Sequence, residues 1–298
     1  MLKEFLNEIN LASKYADFKE AGLKLEKFIG NASKEEIIEL VNIIGTIPES
    51  IQPSSSEEKV FSKSGDIISA CALKYLGLQA KSLDTRGDAG DVVAKSTEYN
   101  YSLIGDAKSF RLSRTAKNQK DFKVKALSQW REDNDYAVLF APLFQYPTKQ
   151  SQIYKQSIDE NVLLFSWEHL IILLKLNIVE SSTKTFEQLW NFPQKYSKRV
   201  TAADSKNNFF KDFNSYFISE FKIPKEDLSG LLEQEIASIS NRARLEKEYW
   251  KERVAKIKKY SKEEAIQELL IQINIDSKVK VIDNFVGGLK RAKTKYFD

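Results

Sequence analysis

A single cysteine, Cys71, and a single histidine, His169, stand among 298 residues. One cysteine excludes an intrachain disulfide, and the two residues together cannot supply the soft ligands of a zinc site. Ser-His-Asp catalysis can hardly be built either. His169 lies in Trp167-Glu168-His169-Leu170-Ile171, where a strand-like run gives way to an apolar helix, and a structural role is expected there. No apolar run approaches the roughly 20 residues that cross a bilayer. The start, Met1-Leu2-Lys3-Glu4-Phe5-Leu6-Asn7-Glu8, lacks a signal-peptide pattern. A soluble, cytoplasmic protein without membrane contact is the expectation. Repeats, low-complexity tracts and linkers are absent too, so a single elaborated domain over 1–298 is expected. With 42% hydrophobic residues it can bury a large core. The net charge of +4 is only weakly basic, so where the charge lies matters more than its sum.

The pattern divides into a helical part over 1–80, an α/β part over 81–177 and a mainly helical part over 178–298. In the first part, Phe5 to Leu11, Phe18 to Phe28 and Ser33 to Ile44 read as helices, with Ser33 and Glu36 spaced as a capping box. Ser55 with Glu58 opens a fourth helix that runs to Gly77. In the second part, Gly90 to Ala94 and Tyr101 to Lys108 read as strands of a hairpin around the polar turn Lys95 to Asn100. Phe122 to Trp130 then reads as a helix, Tyr136 to Phe144 and Val162 to Trp167 as strands, and Glu168 to Leu176 as a helix. In the third part Phe209 to Phe221 and a long segment from Pro224 to about Tyr260 are helical, and Ser261 with Glu264 opens one more helix.

The hairpin holds the chemistry. It brings Asp91 and Asp106 side by side on neighbouring strands, and Lys108, two residues beyond Asp106, points to the same face. Two carboxylates suit a hard divalent cation such as magnesium, and the ammonium suits a phosphodiester. The triplet alone says little, because acid-any-lysine recurs at Asp17, Glu57, Asp121, Asp204 and Asp276. Its place at the end of an apolar strand, opposite a second acid, sets Asp106-Ala107-Lys108 apart. The competing reading is ordinary charge at exposed strand ends. Glu58 is a second-tier candidate for the site, its expected role being a helix cap partnered with Ser55.

From Lys108 onward positive residues recur at every third place: Arg111, Arg114, Lys117, Lys120 and Lys123. Asp121 is the only acid between Ala107 and Gln129. Hydrogen-bonding residues fill the gaps and few apolar ones remain, so a surface for a phosphate backbone is expected rather than a solvated loop. Asn118 can read adenine, arginine or lysine can read guanine, and Asp121 can accept from cytosine. A DNA-binding protein without catalysis remains the rival.

With Arg86-Gly87, Ala89-Gly90-Asp91-Val92, Asp106-Ala107-Lys108 and the run from Ser109 to Leu127 in view, the chain resembles the PD-(D/E)XK nucleases, and among them a type II restriction endonuclease. Phe165-Ser166-Trp167-Glu168-His169-Leu170 and Phe186 to Pro193 carry the likeness further, over nearly the whole length. It implies an α/β core with a central mixed sheet between N-terminal and C-terminal helices. It also implies a magnesium-dependent homodimer cutting both strands of a palindrome in double-stranded DNA, AAGCTT cut after the first A. Asp91, Asp106 and Lys108 take the catalytic positions, and Asp91, Asp106 and the Ala107 carbonyl the metal. Asp84 takes a supporting place, and Gly90 stands where the family usually has proline.

Overall fold

Local signals account for the first four helices. The computed structural model describes all residues except 84–88, 115–118, 148–150, 274–277, 281–282 and 284–298, and the side chains at 202, 203 and 205–207. α1 spans Leu2–Ala12 and α2 spans Phe18–Gly30, the latter capped by Asp17, which accepts the Lys19 N–H at 2.9 Å. α3, Lys34–Ile44, carries both bonds of the expected capping box: Ser33 accepts the Glu36 N–H and Glu36 accepts the Ser33 N–H. α4, Ser56–Tyr75, is capped by Ser55 and packs against α1, α2 and α3.

A five-stranded mixed sheet follows, in the order β1 (Gln79–Ser82), β2 (Val92–Lys95), β3 (Ser102–Ala107), β4 (Tyr136–Ala141) and β5 (Val162–Ser166). β1–β2 and β2–β3 are antiparallel, joined by short connections; β3–β4 and β4–β5 are parallel and need helical crossovers. Every residue of β4 and β5 is buried, which is why both read as continuous apolar runs rather than as alternating ones. The flanking helices are α5 (Gln119–Phe122), α6 (Val124–Gln129), α7 (Gln152–Asp159), α8 (Trp167–Lys175), α9 (Glu187–Trp190) and α10 (Phe192–Ser197). α4 lies along β1, β2 and β3, while α6, α7 and α10 pack on β5. α11 (Ala202–Phe221) seals the far side against α7, its Phe213 and Phe217 meeting Phe165 and His169. This is the α/β core with a mixed sheet between helices that the resemblance implied.

Three elements differ from the sequence reading. β1 was not expected: it offers one apolar residue, Ala80, and exists through its pairing with β2 and its contact with α4. α7 was also not expected, and it buries Ile153, Tyr154, Ser157 and Ile158 at helical spacing. The helix expected over Phe122 to Trp130 is broken into α5 and α6 by Lys123, whose φ of 48° is left-handed.

Glu180 ties the end of the sheet away from the acids. Its carboxylate accepts from the Ser96 and Tyr101 hydroxyls and, at 2.9 Å, from the Phe186 N–H; Trp190 Nε1 donates to the Tyr101 oxygen at 3.3 Å. Glu180→Ala strands three donors in a buried place, so urea unfolding should show a loss of roughly 3 kcal/mol. A loss below about 1 kcal/mol would show that water replaces the carboxylate there.

The chain divides into two units, 1–246 and 247–298. α12, Lys225–Ile257, opens just after Pro224, whose carbonyl accepts the Leu228 N–H at 3.2 Å, and the unit boundary falls within this helix. In the first unit it buries Leu228 and Glu235, the latter beside Lys175 at 3.2 Å. In the second, α13 (Lys262–Ile273) begins at a complete Ser261–Glu264 capping box. Among the described residues no helix is long and apolar enough to cross a membrane.

Candidate active site

The β2–β3 register runs Val92 opposite Gly105, so one step further Asp91 faces Asp106. The Asp91 N–H donates to the Gly105 carbonyl at 2.8 Å, and the Asp91 carboxylate accepts the Ala107 N–H at 3.0 Å. That second bond fixes the Asp91 side chain beside the one residue between Asp106 and Lys108. Gly90 and Gly105 let the strands close here. A Cβ at Gly105 would come within 2.6 Å of Val92 Cγ1 and 2.9 Å of Phe140 Cε2, and one at Gly90 within 2.6 Å of Ile104 Cδ1.

Asp106 is only 3% exposed, and its partner is Lys108, whose ammonium forms an ion pair with Oδ2. Burial pushes the Asp106 carboxyl up; Lys108 pulls it down, and the charge and hydrogen bond of Asp91 add to the rise. At Lys108 burial pulls the ammonium down, but the charges of Asp106 and Asp91 outweigh it and the net displacement is upward. More carboxylate is therefore gathered than the lysine can neutralise. Asp106 Oδ2 is buried and is held by the Lys108 ammonium. That ion pair shows that the oxygen takes a positive charge at this place. Among the described residues no three His, Cys, Asp or Glu side chains cluster tightly enough to hold a metal. Asp91 and Asp106 thus offer two carboxylates, and the Ala107 carbonyl is the backbone oxygen between the acid and the lysine.

One acid here escaped the sequence reading. Asp66 on α4 is 8% exposed and lines the same cleft, and Lys63 lies 3.3 Å from it. Its carboxyl is raised well above the usual range by burial and then by Asp91, with Lys63 opposing. α4 packs along the sheet here, with Gly65 beside Ala107. A carboxylate within the buried run Ser64-Gly65-Asp66-Ile67-Ile68 was the available signal, since unpaired acids avoid such faces.

Glu58 lines the cleft, and its cap is half of what its spacing suggests. Ser55 Oγ accepts the Glu58 N–H at 3.1 Å, but the Glu58 carboxylate takes the Ser54 N–H at 2.6 Å and Arg111 at 2.6 Å. Arg111 also donates to the Pro48 carbonyl at 2.8 Å, and Glu49 holds both the N–H and the hydroxyl of Ser113. The root of the basic loop is thereby sewn to the segment that joins α3 to α4. Further along, Arg114 pairs with Asp121 at 2.5 Å and lies over the Phe110 ring. Lys120 and Asp121 sit on α5, and Lys123 lies over the Trp130 ring, both of these lining the cleft. Asp84, Lys117 and Asn118 fall outside the described residues.

A five-stranded mixed sheet presenting two acids and a lysine at the end of its central strand is consistent with a PD-(D/E)XK-like nuclease core. Residues 4–286 match the HindIII restriction endonuclease family. The chain belongs to that family. It is similar to the type II restriction enzyme HindIII of Haemophilus influenzae (strain ATCC 51907 / DSM 11121 / KW20 / Rd), with 59% identity over 274 residues, 92% of this chain and 91% of the relative. With the HindIII family it shares the class of type II restriction endonucleases, and the acids of β2 and β3 are read in that light.

Proposed function

We propose that this chain is a magnesium-dependent, site-specific deoxyribonuclease that hydrolyses both strands of AAGCTT in double-stranded DNA after the first A, acting as a cytoplasmic homodimer. The observation that carries the chemistry is the buried Asp106 carboxylate, which faces Asp91 and is ion-paired with Lys108. Asp91, Asp106 and the Ala107 carbonyl would hold the ion. When bound, magnesium lowers the pKa of a water and offsets charge on the phosphate oxygens. Asp91, held by the Ala107 N–H, keeps one carboxylate in place before substrate arrives. Lys108 orients the attacking water and stabilises negative charge as it grows on the phosphate. The AAGCTT assignment rests on the resemblance carried by Asp106-Ala107-Lys108 and the run from Ser109 to Leu127.

For DNA contact we assign Arg111, Arg114, Lys117, Asn118, Lys120, Asp121 and Lys123. Arg111 acts through the loop root it pins, and Arg114 with Asp121 forms a paired unit that loses little side-chain freedom on binding. Glu58 and Asp84 are assigned supporting places. Digestion of a plasmid of known sequence with magnesium, followed by end sequencing, tests the whole reading. Discrete ends at AAGCTT that vanish with EDTA are expected; ends elsewhere would overturn the site, and metal-independent ends the mechanism.

Homodimerisation follows from a two-fold DNA site matched by a two-fold protein. In the second unit Trp250, Val254 and Ile257 form one exposed apolar stripe, and Ile266, Leu269, Leu270 and Ile273 another, each residue at least 40% exposed. We assign these stripes to the second copy. Sedimentation should give a dimer for the parent at micromolar concentration and a monomer for Trp250→Glu/Leu269→Glu. A monomeric parent would refute the assignment.

A further inference from the structure

The cleft that holds the acids has a volume near 1020 Å³ and extends well past them. α4 lines it with Glu58, Lys59, Ser62, Lys63 and Asp66, one face of a helix, and α2 adds Phe18, Lys19 and Gly22. Asp66 lines the cleft together with Asp91 and Asp106. Lys59 is seven residues nearer the helix start, about 10 Å along the axis.

The cations of this wall differ in how they are engaged. Lys63 is committed to Asp66 and to the Leu83 carbonyl. Lys19 and Lys59 are exposed, and among the described residues neither ammonium has a hydrogen bond or an ion pair. The nearest acid of the wall, Glu58, is already taken up by Arg111 and the Ser54 N–H. Two unengaged positive charges therefore face the cleft beyond a cluster of acids that by itself repels a polyanion. A DNA strand advances about 3.4 Å along the duplex axis per nucleotide, so about 10 Å corresponds to roughly three nucleotides.

We infer that Lys19 and Lys59 form a second, sequence-independent DNA contact, taking backbone phosphates roughly three nucleotides from the scissile one along the α2–α4 wall. The contact is separate from the basic loop of Arg111 to Lys123. It rests on the nuclease reading above. It supplies affinity without base readout, because lysines on phosphates carry no sequence information.

The test is fluorescence anisotropy with two 30-base-pair duplexes, one containing AAGCTT and one with that site scrambled, titrated over a range of salt. Lys19→Gln/Lys59→Gln should bind both duplexes more weakly by the same factor, and its slope of log K against log salt should be shallower by about 1.8, or about 0.9 for each lost phosphate contact. Lys24→Gln is the control: it lies on the same helix, pairs with Glu8 at 3.5 Å and does not line the cleft, so its slope should match the parent. An unchanged slope in the double variant, or weakening confined to the AAGCTT duplex, overturns the inference while leaving the nuclease reading intact. A parent chain that neither binds DNA in a salt-dependent way nor cuts it overturns both.

Discussion

Asp106→Asn should slow DNA cleavage at least roughly 1000-fold, about 4 kcal/mol of transition-state stabilisation, without weakening DNA binding. Asparagine has the shape of aspartate but no charge, so it weakens the hold on a cation and removes the partner of Lys108. The fold should not suffer. Asp106 is a carboxylate buried against Asp91, and burial is the larger of the effects that oppose its ionisation. Removing that charge relieves the conflict, and the melting temperature should stay level or rise, the usual exchange of activity for stability at a strained site. Single-turnover cleavage, anisotropy and thermal melting on the same preparation separate the three quantities. Cleavage within tenfold of the parent would remove Asp106 from the mechanism.

The second large effect is in stability against pH, and His169 is its source. Its ring is fully buried between Phe213 and Phe217, at centroid distances of 4.9 and 5.1 Å. Ser166 Oγ accepts the His169 N–H, which leaves its hydroxyl proton for Nδ1 at 2.6 Å, so Nε2 carries the ring proton toward Asn214 Oδ1 at 2.7 Å. Burial lowers the imidazole to about 4, from an ordinary value near 6.5. A depressed folded value means that the neutral ring's contribution is full above the unfolded pKa and is lost as pH falls toward the folded one. Over that window the contribution lost is roughly 3 kcal/mol. Glu168, which burial pushes up to about 7, has the opposite sign and gains stability as pH falls. Wild-type unfolding alone therefore mixes the two. The comparison with His169→Gln isolates the ring, because Glu168 is present in both chains. At pH 7 the variant should be the less stable in urea, and by pH 4 the difference should shrink by roughly 3 kcal/mol. A difference that does not change with pH would mean that His169 keeps its ordinary pKa in the folded protein, as a solvated ring would.

How much of the site could be read in advance follows from how local its causes are. Strand alternation and a short polar turn set the β2–β3 register, so the pairing of Asp91 with Asp106 and the placement of Lys108 were legible before any fold was known. The same holds for the Ser33–Glu36 and Ser261–Glu264 boxes, whose partners lie three residues apart. Asp66 was not legible. It lines the same cleft as the acids because α4 packs along β1, β2 and β3, a fact of packing between segments some forty residues apart.

The charged loop shows the same division from the other side. Its spacing of one cation in three is what suggests the proposed surface for phosphate, and that reading needs only the sequence. Which cations remain for DNA is a tertiary matter: Arg111 turns to Glu58 and Pro48, Arg114 to Asp121, and Lys123 leaves its helix for a left-handed turn over Trp130. Glu58 likewise abandons the return bond of its box for Ser54 and Arg111, because an arginine from another segment offers a charge-assisted partner. The sequence by itself determined the paired acids, the lysine beside them and the α/β order that presents them, since period, caps and turns act within a few residues. Only the tertiary structure decided that Asp66 joins them, that β1 forms at all and that Lys19 and Lys59 line the same cleft, since those outcomes depend on contacts between distant segments.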